Sequence, residues 1–336
     1  MKNWVKKLLK WGALLFLVGA LIAAIGLATS GFSFADMSGA TYETHSVSIY
    51  DGDTIKSITA NLDTTDLIVE YSTEAEKLAV TYETKSTRNG KSLVTVKDSI
   101  SNGNLVLTEE RSWMAQFSLF NFYNMKVTVT VPVGQALAFD IETDTGDVKI
   151  NGAKAISVLK IETNTGDVTV KESEIASLEV DVDTGDALLK NVIISEGVTA
   201  ESDTGDLTFE NLSAPSAKIT ADTGSVELAG VTAQTTLKIE TDTGDVELKS
   251  SVKAETVTIN TDTGDVDGEY GLLDATSVNI KTDTGDVELY LAGANSDYGI
   301  ILNLSTGDAN VKNRHGGTRT LNFTSSTGDG EFYFEN

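Results

Sequence analysis

Residues Thr236–Lys249 read TLKIETDTGDVELK, and twenty residues further on Thr256–Gly268 read TVTINTDTGDVDG. In the first stretch Leu237 and Ile239 precede Gly244, and Val246 and Leu248 follow it, each pair separated by one polar residue. Strict alternation on both sides of a Thr-Gly-Asp turn describes two short half-buried strands that meet at a corner. Working outward from this copy, the turn recurs with its glycine at Gly146, Gly166, Gly185, Gly205, Gly224, Gly244, Gly264, Gly285, Gly307 and Gly328. Successive spacings are 20, 19, 20, 19, 20, 20, 21, 22 and 21 residues, and only Gly224 lacks the following aspartate, having Ser225 there. The apolar columns recur with the turn, as in Ile141, Ile161, Val180, Ala200, Ile219, Ile239, Ile259, Ile280, Leu302 and Phe323.

A unit of about 20 residues cannot bury one apolar face by itself, whereas stacked units bury a continuous core. The expected fold is therefore all-β: a parallel β-solenoid of about ten coils over residues 134–336. A meandering β-roll of antiparallel hairpins is the alternative, since a Thr-Gly turn could also close hairpins. Residues 41–133 lack the motif but alternate at Leu67–Tyr71, Leu78–Tyr82 and Lys126–Val131, and are predicted to form a β-rich capping segment. Within it, Asp63-Thr64-Thr65-Asp66 is a glycine-less relative of the turn. The stretch RSWMAQFSLFNFYNM, Arg111–Met125, is aromatic-rich without a clean period. It reads as a loop that shields the open end of the stack, or else as a sticky patch for lipid or a partner.

The N-terminus is of another kind. Residues 1–10 form a basic stub with Lys2, Lys6, Lys7 and Lys10, and Trp11–Ala28 is an uncharged, proline-free run of 18 residues. As a helix rising about 1.5 Å per residue this run spans about 27 Å, near the thickness of a bilayer core. The lysines place the N-terminus in the cytoplasm and, beyond a linker over 29–40, the body outside the cell. Cleavage near Ala35 of a secretory signal is the competing expectation, and it exports the body equally.

Four of the 25 basic residues and none of the 50 acidic ones lie in the first 28 positions, so the remainder carries a net charge of −29. So acidic a body is a poor match for nucleic acid, whose phosphates need a basic surface. There is no cysteine, hence neither a disulfide framework nor a thiolate metal site.

The Asp-Thr-Gly-Asp turn has two readings. In the structural one, Gly146, Gly166, Gly185, Gly205, Gly224, Gly244, Gly264, Gly285, Gly307 and Gly328 supply positive φ, and the aspartates bond backbone amides two residues on. In the other, a carboxylate ladder of Asp144, Asp147, Asp183, Asp186, Asp203, Asp206, Asp242, Asp245, Asp262, Asp265, Asp283 and Asp286 holds calcium. The position two before the glycine also accepts Asn164, Ser305 and Ser326. Asp, Asn and Ser share a capping oxygen rather than a charge, which favours turn chemistry, with no cofactor required.

Catalysis finds little footing. His45 and His315 are far apart in sequence, no nucleophile motif accompanies either, and short coils leave no room for the long loops that would wall a cleft around paired carboxylates. A Thr-x-Thr array such as Thr143 and Thr145 would suit ice binding but breaks at Val182, Ala221 and Leu304.

A basic N-terminus with one apolar span, a β-rich segment ending in Val-Thr-Val-Thr-Val-Pro-Val-Gly (Val127–Gly134) and serial Thr-Gly-Asp-Val turns together resemble the Gram-positive "putative adhesin" envelope proteins. These form a domain-of-unknown-function family that includes LiaG-like proteins. The resemblance covers residues 40–336 and implies a membrane-anchored, non-catalytic β-solenoid on the cell surface, with roles in adhesion or envelope stress. It carries over no catalytic residues. An envelope protein, a wall polymer or a cationic peptide is the expected partner. A calcium-dependent structural rod and, below it, a carbohydrate-active enzyme are the other expectations.

Overall fold

The structure is a computed structural model that describes residues 42–51, 54–86, 94–111 and 125–335. The apolar run 11–28, the linker 29–40 and most of the aromatic stretch lie outside the described residues. Among the described residues no helix is long and apolar enough to cross a membrane. The chain divides into a small unit drawn from residues 1–44, 84–95 and 111–123, and a large unit of residues 45–83, 96–110 and 124–336. The described residues of the small unit belong to the ends of strands; the large unit holds the repeats.

The large unit is an all-β parallel β-solenoid of about nine turns. Its regular part runs through β8 (Leu137–Thr143), β9 (Val148–Asn151), β10 (Ile156–Thr163), β11 (Val168–Thr184), β12 (Ala187–Thr204), β13 (Leu207–Thr223), β14 (Val226–Ala229), β15 (Val231–Thr243), β16 (Val246–Leu248), β17 (Val252–Thr263), β18 (Val266–Thr284) and β19 (Val287–Ala292). Each glycine turn stacks on the next with its columns in register. Leu159 pairs with Leu178, then Val198, Ala217, Leu237, Val257 and Val278, all through parallel ladders. These residues are buried, as is the parallel column from Ile161 to Ile280. Burying each valine, leucine or isoleucine of these columns contributes roughly 1.5–3 kcal/mol, and a one-residue slip would turn the whole set to solvent, so the alternation fixes the register. The antiparallel roll is thereby replaced by the parallel stack.

The preceding strands are β1 (Tyr42–Tyr50), β2 (Ser57–Leu62), β3 (Thr65–Ser72), β4 (Leu78–Ser86), β5 (Val94–Ser101), β6 (Asn104–Arg111) and β7 (Met125–Pro132). They do more than cover an end. β2 pairs in parallel with β8, and β3 with β9, so Asp63–Asp66 occupies a turn position in the stack. On their other side β2 pairs with β6, and β3 with β7. The segment expected as a cap thus contributes coils of its own. True capping falls to β4, which runs antiparallel to β7 over Ala79–Glu83 and breaks the parallel series. β5 leads into β6 through Asn102 and Gly103, both at positive φ, as a two-residue hairpin turn demands.

The last strands are β20 (Tyr298–Thr306), β21 (Arg319–Thr327) and β22 (Gly330–Glu335). Here the chain departs from sequence order. β18 pairs with β21 and β19 with β22, while β20 lies on the far side of β21. After Gly307 the copy has a single bridge, Ala309 to Gly330, in place of a strand. That copy is the one that falls short of a full turn.

Candidate functional site: the Thr-Gly-Asp edge

All ten turns lie along one edge, in the spatial order Gly146, Gly166, Gly185, Gly205, Gly224, Gly244, Gly264, Gly285, Gly328, Gly307. Their spacing leaves no room for a side chain. A Cβ on Gly205 would stand 1.9 Å from the carbonyl oxygen of Gly185, and the residue holds φ +143°. Glycine is required there by contact as well as by backbone conformation; Gly146, unlike the other nine, is not at positive φ, and there contact alone requires it, since a Cβ would stand 2.4 Å from the Thr65 carbonyl oxygen.

Three residues before the glycine the side chain points inward. Thr143, Thr241, Thr261 and Thr282 are buried and donate to the glycine carbonyl of their own turn, at 3.0, 3.2, 3.3 and 3.4 Å. The threonine next to the glycine points out, in register from Thr184 through Thr204, Thr223, Thr243, Thr263 and Thr284 to Thr327. A flat Thr-x-Thr array therefore does not form, because its two columns face opposite ways.

The aspartate after the glycine links one coil to the next. Its Oδ1 accepts the backbone N–H of the equivalent residue in the neighbouring coil. This occurs from Asp186 to Asp167 at 3.0 Å, Asp206 to Asp186 at 2.9 Å, Asp265 to Asp245 at 2.8 Å and Asp286 to Asp265 at 2.7 Å. The series continues through Asp329, whose N–H reaches Asp286 at 2.8 Å, to Asp308, whose N–H reaches Asp329 at 2.7 Å. The expected bond to an amide two residues on is thus corrected to a bond across coils. At its other end the series starts at Asp66, which accepts the N–H of Asp147 at 3.1 Å. Ser225, having no carboxylate, interrupts it.

Sequence reasoning missed Glu109, which closes the edge at the N-terminal end. Thr65 stands where later coils have glycine, and its turn has no repeat motif beyond it. Glu109 fills the place: Oε2 accepts the N–H groups of Asp63, Thr64 and Thr65 at 3.0, 2.9 and 3.0 Å, and Oε1 accepts the Thr64 hydroxyl at 3.1 Å. Glu109 is 8% exposed, and these donors are what make the burial of its charge tolerable. A signal existed, since Leu105, Leu107 and Glu109 share the inward parity of their strand.

The other predicted ligands, Asp144, Asp183, Asp203, Asp242 and Asp262, form an outer exposed column, with Asp283 half-buried; Asn164 donates to Asp144 at 3.1 Å. Among the described residues no three acidic or imidazole groups gather as a metal site would require. Local charge is uneven. Burial raises the Asp66 carboxyl. At Asp147 burial acts in the same direction but is outweighed by the Lys149 ammonium and the Asp167 amide, so this group lies below the usual carboxylate range. Burial, followed by the charges of Glu201, Asp183 and Glu162, raises Asp181.

The family model Toastrack DUF4097 matches residues 55–196 and again 171–331. Among solved structures the chain is similar to a "putative adhesin" from Bacteroides fragilis, at 15% identity, covering 88% of this chain and 98% of that one, TM-score 0.39. It is also similar to a "putative adhesin" from Parabacteroides distasonis, at 12% identity, with 88% and 98% coverage and TM-score 0.44. A "putative cell adhesion protein" from Clostridium sporogenes is 11% identical, with 88% and 100% coverage and TM-score 0.21. None of the curated proteins matches.

Proposed function

We propose the following role for a chain that belongs to the Toastrack DUF4097 family, a domain of unknown function: it is a non-catalytic surface protein, tethered to the membrane through Trp11–Ala28, whose acidic solenoid binds a partner in the cell envelope. The observation that carries this reading is the turn edge. Its glycine-flanking carboxylates are engaged in holding neighbouring coils, while the exposed surface repeats one pattern of hydroxyl and carboxylate from coil to coil. Such a surface suits recognition of an extended or polymeric cationic partner better than chemistry at one point. Two experiments test it. Protease added to intact cells is expected to remove the body while the protein stays with membranes; recovery in the medium with Asp36 as first residue would sink the tether. Purified protein is expected to sediment with isolated cell wall and to be released by salt; equal retention by wall and by zwitterionic vesicles would discard envelope recognition.

Repulsion between stacked carboxylates favours one second reading, a rod whose stability depends on calcium. Charges about 5 Å apart repel by roughly 0.8 kcal/mol in water. Asp245 separates the two readings, because Asn keeps the Oδ1 that accepts the Asp265 amide. We expect Asp245→Asn to be nearly silent and Asp245→Ala to cost about 1 kcal/mol. A rise in melting temperature at micromolar calcium, abolished by Asp245→Asn, would install the calcium rod instead.

A further inference from the structure

We infer that the solenoid is clasped at both ends: the chain lays down its terminal coils out of order, so that neither end can unwind one coil at a time. In a repeat stack built in sequence order, the last coil has a free chain end and a neighbour on one side only, and it frays first. Here the strand pairs β21 and β22, which end the described chain, are not outermost. β21 is held between β18 and β20, and β22 is held by β19 and by the Ala309 bridge. The outermost coil, β20 with residues up to Ala309, is continuous with the chain at both of its ends. To peel β21 away, hydrogen bonds along two edges must break together. To peel β20, a closed loop must lift rather than a tail.

The same device stands at the other end. The coil made of β2 and β3 comes first in the sequence but second in the stack, between the coil of β6 and β7 and that of β8 and β9. Both clasps are fastened by side chains that reach across the swapped order. Tyr298, fully buried in the outermost coil, packs its ring against Phe334 and donates its hydroxyl to the Ala292 carbonyl at 2.7 Å. Arg319 reaches from β21 to Asp274 at 2.9 Å and to the Ala275 carbonyl at 3.0 Å, with its guanidinium over the Tyr298 ring. Arg314 acts within the outermost coil and not across the swap: it bonds the Tyr298 carbonyl at 2.9 Å through Nε, and its backbone pairs with Ile300. At the N-terminal end Glu109 plays this part, reaching from β6 to the turn between β2 and β3.

Native-state hydrogen exchange of the full chain tests the clasp. Amides of Phe323 and Ser325 are expected to exchange within about tenfold of those of Ile239 and Thr241 in the middle of the stack. Two glycine variants then read out the order. Gly328→Val places a side chain against the Gly285 carbonyl, and Gly307→Val against the Gly328 carbonyl. Gly307→Val is expected to expose residues 298–311 while 319–335 stay protected; Gly328→Val is expected to expose both. The reverse pattern, or a wild-type exchange rate that climbs steadily from Thr263 to Glu335, would overturn the clasp. Should either variant fail to fold, the wild-type profile decides alone.

Discussion

At the scale of single residues, Glu109 shows how a stack ends without leaving orphaned donors. Interior turns other than the one after Ser225 receive a carboxylate from the neighbouring coil; the turn at Asp63–Thr65 receives one that binds three amides and a hydroxyl. Removing it leaves buried N–H groups unpaired, a cost larger than the net worth of the bonds themselves. Glu109→Ala is expected to destabilise by about 2–4 kcal/mol in urea denaturation, and Glu109→Gln by about 1–2 kcal/mol, because an amide oxygen accepts without charge. A loss below about 0.5 kcal/mol for Glu109→Ala would show that water replaces the carboxylate. The aspartates after the glycines act in the same way at less cost, since each accepts a single N–H. Their role was half-visible in the sequence. Any oxygen acceptor suits a turn, so the residue set could not tell a bond within the turn from one across coils.

At the scale of strands and corners, a second column of special backbone balances the glycine edge. Gly152, Glu172, Asn191, Asn211 and Gly230 occupy equivalent corners at φ +72°, +51°, +54°, +54° and +70°. Four of these five are residues that enter the left-handed region readily; Glu172 is not. Its carboxylate accepts the Asn191 amide at 2.6 Å, much as Asn191 accepts that of Asn211 at 2.8 Å. Glu172→Asn keeps the acceptor and relieves the backbone, so it is expected to raise stability by about 0.5–1 kcal/mol. An unchanged or lower thermal midpoint would mean that the longer side chain makes up the backbone cost through packing. The strands themselves were legible from their alternation, and so was the core, from Ile141 to Phe323. The order of coils was not. Each copy offers the same apolar columns and the same turn, so Gly307 and Gly328 fit on Gly285 equally well as far as pattern goes. What selects between them is Tyr298, which packs on Phe334, and Arg319, which bonds Asp274 and Ala275; both contacts cross the swap and neither side chain has a counterpart in the other copies. The glycine-less turn at Asp63–Asp66 was visible as a relative of the motif, but its place in the stack, against β8 and β9 on one side and β6 and β7 on the other, joins strands that are far apart in the sequence.

At the scale of the whole molecule, charge sets the conditions under which the stack is most stable. Outside the first 28 residues the net charge is −29, and many carboxylates stand in register at strand spacing. Burial raises Asp66 and Asp181, the second with help from neighbouring acids. An acid whose folded pKa is raised destabilises the fold while ionised, and this penalty disappears as pH falls through the raised value. Asp274, held down by Arg319, and Asp147, where Lys149 and the Asp167 amide outweigh burial, behave oppositely. Their stabilisation is present above the unfolded pKa and is lost as pH falls through the lowered folded values. The two groups act in successive windows: from neutral pH down to the ordinary carboxylate range the raised acids and the general repulsion dominate, and below that range the lowered ones do. The melting temperature is therefore expected to rise on mild acidification, pass through a maximum between these windows, and fall in stronger acid. Sodium chloride should flatten the rising limb, since screening relieves repulsion between exposed charges at neutral pH in the same way that protonation does. It should leave the falling limb largely in place, because the Arg319–Asp274 contact is partly sheltered, with side chains 28% and 38% exposed. Thermal melts from pH 8 to pH 2.5 at low and high salt measure both limbs. A melting temperature that declines steadily from pH 7 downward would mean that ion pairs, not repulsion, govern the acidic stack.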